Sequence, residues 1–275
     1  MMGRKVRLDV LLVEKGYVET REKAKRTIMA GLVFHEQVRL DKPGVKVDEE
    51  MELTVKGKAI PYVSRGGLKL EKALKSFDLT VNDKVMIDIG SSTGGFTDCG
   101  LQNGVRLSYA IDVGYNQLDW RLRNHDQVVV MERTNFRYVT KEDLKEGQPQ
   151  FASIDVSFIS LRIILPVLAE ILEKQGDVVA LIKPQFEAGR EQVGKKGIVK
   201  DPAIHKQVVE TILDFATNHG YSVYGLTFSP ITGGDGNIEF LVHLRLTEEE
   251  KGEIKDDVKI GAVISEAHEA HSKNA

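Results

Sequence analysis

The residues of this chain that could do chemistry stand at the ends of apolar runs. The first run, in "MIDIGSSTGGFTDC", stops in a cluster of glycines and hydroxyls. A buried strand that ends at Gly90, Gly94 and Gly95 can turn sharply and bring bare backbone against a ligand, and a helix opening over residues 96–101 offers free N–H groups to a polar one. No Gly-Lys-Ser/Thr follows, which excludes an NTPase phosphate loop. Asp88 closes this run and Asp112 closes the next, 24 positions later. That separation suits a carboxylate accepting hydrogen bonds from ribose hydroxyls, as in dinucleotide folds, and S-adenosylmethionine makes the same demand. The glycine loop alone does not separate the two.

Later runs end on further charged residues: Asp155 in "SIDVSFIS" and Lys183 in "ALIKPQFE". A nicotinamide enzyme usually has a proton-transferring His or Tyr at such an end, and none stands there. The last run, "GNIEFLVHL", is opened by Glu239. If that strand runs antiparallel to its neighbours, its start shares a sheet edge with the carboxyl ends of the others. Glu239 then joins Asp155 and Lys183, and Lys69 in "SRGGLKLEKAL", on a helix covering the sheet, supplies a fourth member.

The elements that must position these residues alternate from residue 80 onward. Seven apolar, strand-like runs, "VMIDIG", "LSYAIDVG", "VVVME", "FASIDVSF", "DVVALIKP", "YSVYGLTFSP" and "IEFLVHLRL", are separated by helical stretches. This predicts an α/β fold, a doubly wound Rossmann-like sheet that binds its ligand beyond the carboxyl ends of the strands.

The front of the chain is different. Leu8, Leu11 and Leu12 share one face of a helix over residues 7–15, which Gly16 can end as a left-handed cap. Thr20 is placed to cap a second helix over residues 21–30, with Ala24, Ile28 and Met29 on its apolar side and Arg21, Lys25 and Arg26 on the other. Short alternating runs with a Pro-Gly turn follow, as in a small hairpin. Arg7-Leu8-Asp9, the Arg21/Lys25/Arg26 helix, Gly31-Leu32-Val33 and Lys42-Pro43-Gly44 together resemble the S-four RNA-binding domain. Many members of that family carry Asn-Gly where this chain has His35-Glu36-Gln37. The resemblance implies a small α+β module whose Arg7, Arg21, Lys25 and Arg26, with Arg65 beyond it, face RNA phosphates with salt-sensitive affinity.

Over residues 5–245 the motifs "SRGGLKL", "DIGSSTGGFTD", "AIDVG", "ERTNFR", "DVSFISL", "LIKPQFE" and "GNIEF" occur in an order that resembles the TlyA family. That family is known both as haemolysins and as rRNA 2′-O-methyltransferases, within the broader FtsJ-like methyltransferases. The resemblance implies S-adenosylmethionine as methyl donor and a catalytic tetrad of Lys69, Asp155, Lys183 and Glu239. It places Gly90, Ser91, Ser92, Thr93, Gly94, Gly95 and Phe96 around the methionine portion of the donor, Asp112 at its ribose, and Asn135 with the Asp155 backbone near its adenine. Asp88 either touches the donor or holds the loop from beneath. No metal site is expected. A ribose hydroxyl must then be aligned with an activated methyl, and alignment is worth about 7–11 kcal/mol. A lysine held beside another cation and partly desolvated can take the proton released, a role assigned to Lys183. The substrate implied is RNA, a cytidine ribose of ribosomal RNA. The long glycine-punctuated cationic segment over residues 184–200 is expected to close over it.

Composition bounds the alternatives. The 275 residues favour two domains, with expected boundaries at 1–62 for the S-four-like module, 63–246 for the catalytic domain and 247–275 for an acidic, loosely attached tail or helix. The net charge of −3 divides into +6 over residues 1–75 and −9 over the remainder, so the basic front suits an anionic partner. The run over residues 163–172 is too short to span a membrane and is interrupted by Pro166 and Glu170. Nothing long and amphipathic enough to insert supports a pore-forming haemolysin. With Cys99 as the only cysteine and no apolar signal core at the N-terminus, a cytoplasmic protein is expected. An RNA-binding protein that has lost catalysis is disfavoured by the intact tetrad, and a small-molecule methyltransferase by the basic front.

Overall fold

The computed structural model describes residues 4–36, 38–56, 60–233 and 236–272. The chain forms two compact units, Met1–Gly66 and Gly67–Ala275.

In the first unit, strand β1 (Lys5–Arg7) leads directly into α1 (Leu8–Glu14), and α2 (Arg21–Met29) follows. Leu8, Leu11 and Leu12 of α1 are buried with Ala24 and Ile28 of α2 in a core completed by Val6, Val33, Val47 and Leu53. Gly16 takes φ +73, the left-handed conformation expected after α1, and Thr20 caps α2 by accepting from Lys23 N at 3.2 Å. The expected simple hairpin is two small antiparallel sheets. In one, β2 (Val33–His35) lies between β3 (Val38–Arg39) and β5 (Thr54–Val55); in the other, β4 (Lys46–Asp48) pairs with β1. The strand β1 was missed because residues 5–7 are too few to show periodicity, although their Val6 alone is buried. Glu36, at φ 53, takes the left-handed turn position, while Gln37 lies outside the described residues.

The second unit opens with α3 (Gly66–Ser76), followed by β6 (Val85–Ile89), α4 (Gly95–Gln102), β7 (Leu107–Ile111), α5 (Trp120–Arg123), β8 (Val128–Met131), β9 (Phe151–Ile154) and α6 (Leu161–Ile171). Then come β10 (Asp177–Ile182), α7 (Pro184–Glu187), α8 (Pro202–Thr217), β11 (Tyr221–Phe228), β12 (Phe240–Leu246) and α9 (Ile260–Ser272). One sheet has the order β11-β12-β10-β9-β6-β7-β8, so all seven expected strands form it. Only β12 is antiparallel to its neighbours. Every residue of β6 and β10 is buried, which is why they read as unbroken apolar runs. Pro166 lies inside α6 without ending it; Leu161, Ile164, Leu165, Leu168 and Ile171 hold that helix on the sheet.

The acidic segment beyond residue 246 belongs to the second unit and is not loose: Val223 N donates to Glu253 O at 2.8 Å, and Ile264 and Ala267 of α9 are buried in the main core. Among the described residues no helix is long and apolar enough to cross a membrane.

Candidate active site

Strand register assembles the site. Ile89 of β6 pairs with Ile154 of β9, so Gly90 and Asp155 emerge side by side at the carboxyl edge. Ile182 of β10 pairs with Phe240 of the antiparallel β12, so Lys183 and Glu239 emerge at that same edge. The helix α3 brings Lys69. Lys69 Nζ donates to Glu239 Oε2 at 2.7 Å and to Asp155 Oδ2 at 3.3 Å, while Lys183 Nζ lies 2.5 Å from Asp155 Oδ1. The four side chains therefore form one chain of contacts, Glu239–Lys69–Asp155–Lys183. Lys69, Lys183 and Glu239 are buried, and Asp155 is half-buried.

Electrostatics follow from this arrangement. Burial pulls the Lys69 ammonium down, but Asp155 and Glu239 outweigh it and hold Lys69 above the ordinary lysine value. Burial likewise pushes the Asp155 carboxyl up, and the two lysines overcome it and hold Asp155 below the usual carboxylate range. Lys69, clamped by two carboxylates, is a fixed cation. Lys183 has one carboxylate partner and donates also to Ser157 Oγ at 3.2 Å, a contact the sequence did not point to.

Asp155 also lines a cavity of about 710 Å³ at the carboxyl ends of β6, β7 and β9. The sheet order reverses at this place, where doubly wound folds bind ligands, and the volume fits a ligand of nucleoside size. Gly90, Ser92, Asp112 and Asn135, all expected at the donor, face it. Asp112 accepts from Ser92 N at 2.8 Å and Gly114 N at 2.7 Å, which fixes its carboxylate at the rim. Gln117, Thr134, Val156 and Phe158 line the cavity as well and were missed. They sit in loops that carry no periodicity, and only their neighbourhood to "AIDVG", "ERTNF" and "DVSF" could have pointed to them.

Parts of the rest of the glycine loop serve the fold. Ser91, Thr93, Gly94, Gly95 and Phe96 are not among the residues facing this cavity. Gly90 N and Ser91 N both donate to Ile111 O, at 2.9 and 3.0 Å, so these amides tie the loop to β7 and are not free for a ligand. Gly94, at φ +99, is glycine because Leu118 and Leu122 pack where its Cβ would lie. Phe96 is buried.

Asp88 does not face the cavity either, and holds the loop from beneath. It is fully buried, accepting from Thr97 N at 3.1 Å, Thr97 Oγ1 at 2.8 Å and Ser153 Oγ at 3.0 Å. Burial pushes its carboxyl up to about 7 despite these donors. Glu187, from "LIKPQFE", plays a comparable part for α6, accepting from Ser160 Oγ at 2.6 Å and Leu161 N at 2.7 Å.

In the first unit, Arg7 and Arg21 converge on the buried Asp9. Arg7 Nε and Arg21 Nη2 donate to its two oxygens at 2.9 and 3.0 Å. Asp9 N donates to Pro43 O at 3.0 Å, and a Cβ on Gly44 would come 3.3 Å from Arg7 Nη1, so "RLD" and "KPG" are two halves of one packed corner. Both arginines remain about half exposed. Lys25 pairs with Glu22 at 3.4 Å, and Arg26 Nε is buried without a hydrogen-bond partner among the described residues. Arg65 is half-buried.

Comparison with known proteins fits this geometry. A family model for FtsJ-like methyltransferases matches residues 62–246, and one for the S4 domain matches residues 6–53. The provisionally named rRNA methyltransferase YqxC of Bacillus subtilis (strain 168) is 63% identical over 269 residues, covering 98% of this chain and 96% of that protein. The 16S/23S rRNA (cytidine-2′-O)-methyltransferase TlyA of Mycobacterium tuberculosis (strain CDC 1551 / Oshkosh) is 40% identical over 245 residues, covering 89% of this chain and 91% of that protein. The solved structure of a provisionally named hemolysin from Streptococcus thermophilus has 56% identity and a TM-score of 0.80, covering 100% of this chain and 99% of that one. The chain belongs to the FtsJ-like methyltransferases, in the TlyA group that carries an S4 domain ahead of the catalytic domain, with S-adenosylmethionine as methyl donor.

Proposed function

We propose that this protein methylates the 2′-hydroxyl of a cytidine ribose in ribosomal RNA, and that it does so in the cytoplasm. The observation that carries the reading is the shared position of Asp155, which belongs at once to the Lys69/Lys183/Glu239 cluster and to the wall of the cavity. A TlyA relative named for cytidine-2′-O methylation of 16S and 23S rRNA supports the substrate, as does the S4 match over residues 6–53.

The cavity suits the donor. Asp112 stands where ribose hydroxyls would be held, and Phe136, Ile163 and Ile164 give apolar surface for a purine. When bound, S-adenosylmethionine supplies a methyl group already activated by its sulfonium sulfur. The chain has to hold a ribose in line with it and accept one proton. Lys69 and Glu239 orient the hydroxyl, and Asp155 orients Lys183 through their 2.5 Å contact. Lys183 would take the proton that the 2′-hydroxyl gives up when its oxygen accepts the methyl group, the donor leaving as the neutral thioether. Lys69, held charged by two carboxylates, is unsuited to that role.

The test is incubation of the full chain with isotopically labelled S-adenosylmethionine and isolated ribosomal subunits, followed by mapping of ribose methylation. Label at a cytidine 2′-oxygen is the expected result. Label on a base, on a protein or on no RNA overturns the assignment.

A further inference from the structure

The apolar side chains most exposed on the second unit are not scattered. Phe158 is 89% exposed, Tyr138 74%, Val113 71%, Tyr115 64% and Trp120 63%. All five lie in the segments that follow β7, β8 and β9, on the edge of the sheet where the cavity opens. Exposed aromatics gathered at one edge need a partner to explain them.

Two of these aromatics carry an arginine. The Arg133 guanidinium lies 4.0 Å from the centre of the Tyr115 ring, and that of Arg137 lies 5.5 Å from the centre of the Tyr138 ring. Neither arginine pairs with a carboxylate among the described residues. Two carboxylates of the neighbouring segments are engaged elsewhere: Glu132 with Arg123 at 2.6 Å and Asp119 with Arg121 at 2.9 Å. The two guanidiniums therefore meet the tyrosine rings without an ion-pair partner among the described residues.

The backbone builds this arrangement deliberately. Arg133 adopts φ 52, the left-handed region that a branched-free but bulky residue rarely takes, and its N–H donates to Gly114 O at 2.9 Å. Gln117 N and Leu118 N donate to Glu132 at 3.1 and 3.4 Å, so the segment after β7 and the segment after β8 are fastened together. In the turn Phe136–Tyr138, Phe136 is buried, Arg137 faces the cavity, and Tyr138 points out. Asn135 Oδ1 fixes that turn by accepting from Arg137 N at 3.1 Å.

We infer that Tyr115 with Arg133 and Tyr138 with Arg137 form a stacking platform for single-stranded RNA on the catalytic unit, separate from the S4 domain. Bases would lie on the tyrosine rings while the guanidiniums meet the flanking phosphates, the combination by which proteins hold unpaired strands. The platform flanks the cavity through Arg137, so it would hold nucleotides next to the one being methylated. This inference rests on the RNA-methylating reading above.

The experiment uses the full chain and its Tyr115→Leu/Tyr138→Leu double variant. It measures affinity for a fluorescent oligocytidylate, affinity for S-adenosylmethionine by calorimetry, and methyl transfer to ribosomal subunits. Neither tyrosine lines the donor cavity, so donor affinity should be unchanged and reports that the variant is folded. Loss of at least about fivefold in oligocytidylate affinity is expected, from the lower end of the usual worth of one stacked base. The Arg133→Gln variant should instead reduce the slope of log affinity against log salt by about one. Unchanged oligocytidylate affinity in the double variant overturns the inference. So does weaker binding to intact subunits with none lost for naked RNA, which would assign the surface to a protein partner. If the unaltered chain transfers no methyl to RNA, the functional reading itself falls, a result distinct from failure of the platform alone.

Discussion

A Cβ on Gly90 would collide with the carbonyl oxygen of Asp155 and stand 2.9 Å from its carbonyl carbon. The glycine loop and the backbone that carries Asp155 are thus set against one another with no room for a side chain, and φ +83 independently requires glycine. Gly90→Ala is expected to destabilise the second unit by about 1–3 kcal/mol through strain and to lower donor affinity more than tenfold, because Asp155 must move. Thermal unfolding and calorimetric titration with S-adenosylmethionine check it. A variant with unaltered donor affinity would show that this contact does not set the cavity.

The two lysines should behave differently when removed. Lys69→Ala leaves the buried Glu239 without its 2.7 Å partner, which costs about 3–5 kcal/mol. Lys183→Ala leaves Asp155 still paired with Lys69, so stability should change little while methyl transfer falls about 10²–10⁴-fold. Melting temperature, donor affinity and transfer rate measured on both variants separate the roles. If Lys183→Ala retains transfer, the proton goes elsewhere.

The buried Asp88 carboxyl gives a pH signature. Burial raises its folded value from 3.8 to about 7, so between those limits the folded state binds the proton and the unfolded state does not. Stability from this group is full below the unfolded value and declines as pH rises toward about 7, at up to about 1.4 kcal/mol per unit. In Asp88→Asn that decline should vanish, and the amide can still accept from Thr97 and donate to Ser153. The melting temperature of the variant relative to the unaltered chain should therefore increase from pH 5 to pH 8. A constant difference would mean that Asp88 ionises as it does in water.

Much of the fold and site was legible because period and punctuation survive in sequence. The seven strands were readable since β6 and β10 are buried on both faces, and the antiparallel β12 placed Glu239 beside Lys183 through a register that one assumption about direction supplied. What was not legible depended on partners distant in the chain. Nothing in "IGSSTGG" announces that Ser91 N donates to Ile111 O or that Leu118 and Leu122 pack where a Cβ on Gly94 would lie. Residues 5–7 could not announce a strand whose pairing partner lies at 46–48. The acidic tail reads as solvated until His268, Ile264 and Ala267 are seen against α8 and the core.

That tail is held in part by histidines, and this yields the last expectation. His205 on α8 is fully buried, its Nε2 bonding Val199 O at 3.0 Å and its Nδ1 bonding His268 Nε2 of α9 at 2.9 Å. A carbonyl can only accept, so His205 Nε2 carries the proton, Nδ1 accepts, and His268 donates to it. Protonating His205 would set two donors face to face. Burial, and then His268, push His205 down to about 4, against the opposing pull of the Val199 carbonyl and Asp201. A histidine whose folded value is depressed contributes stability that is complete above the unfolded value of 6.5 and is lost as pH falls toward about 4. Docking of α9 should weaken in that window. His205→Gln, whose amide can donate to Val199 and accept from His268, should be less stable than the unaltered chain at pH 8 but lose less on acidification to pH 5. Parallel melting curves for the two chains across that range would argue that the histidine pair does not fasten α9.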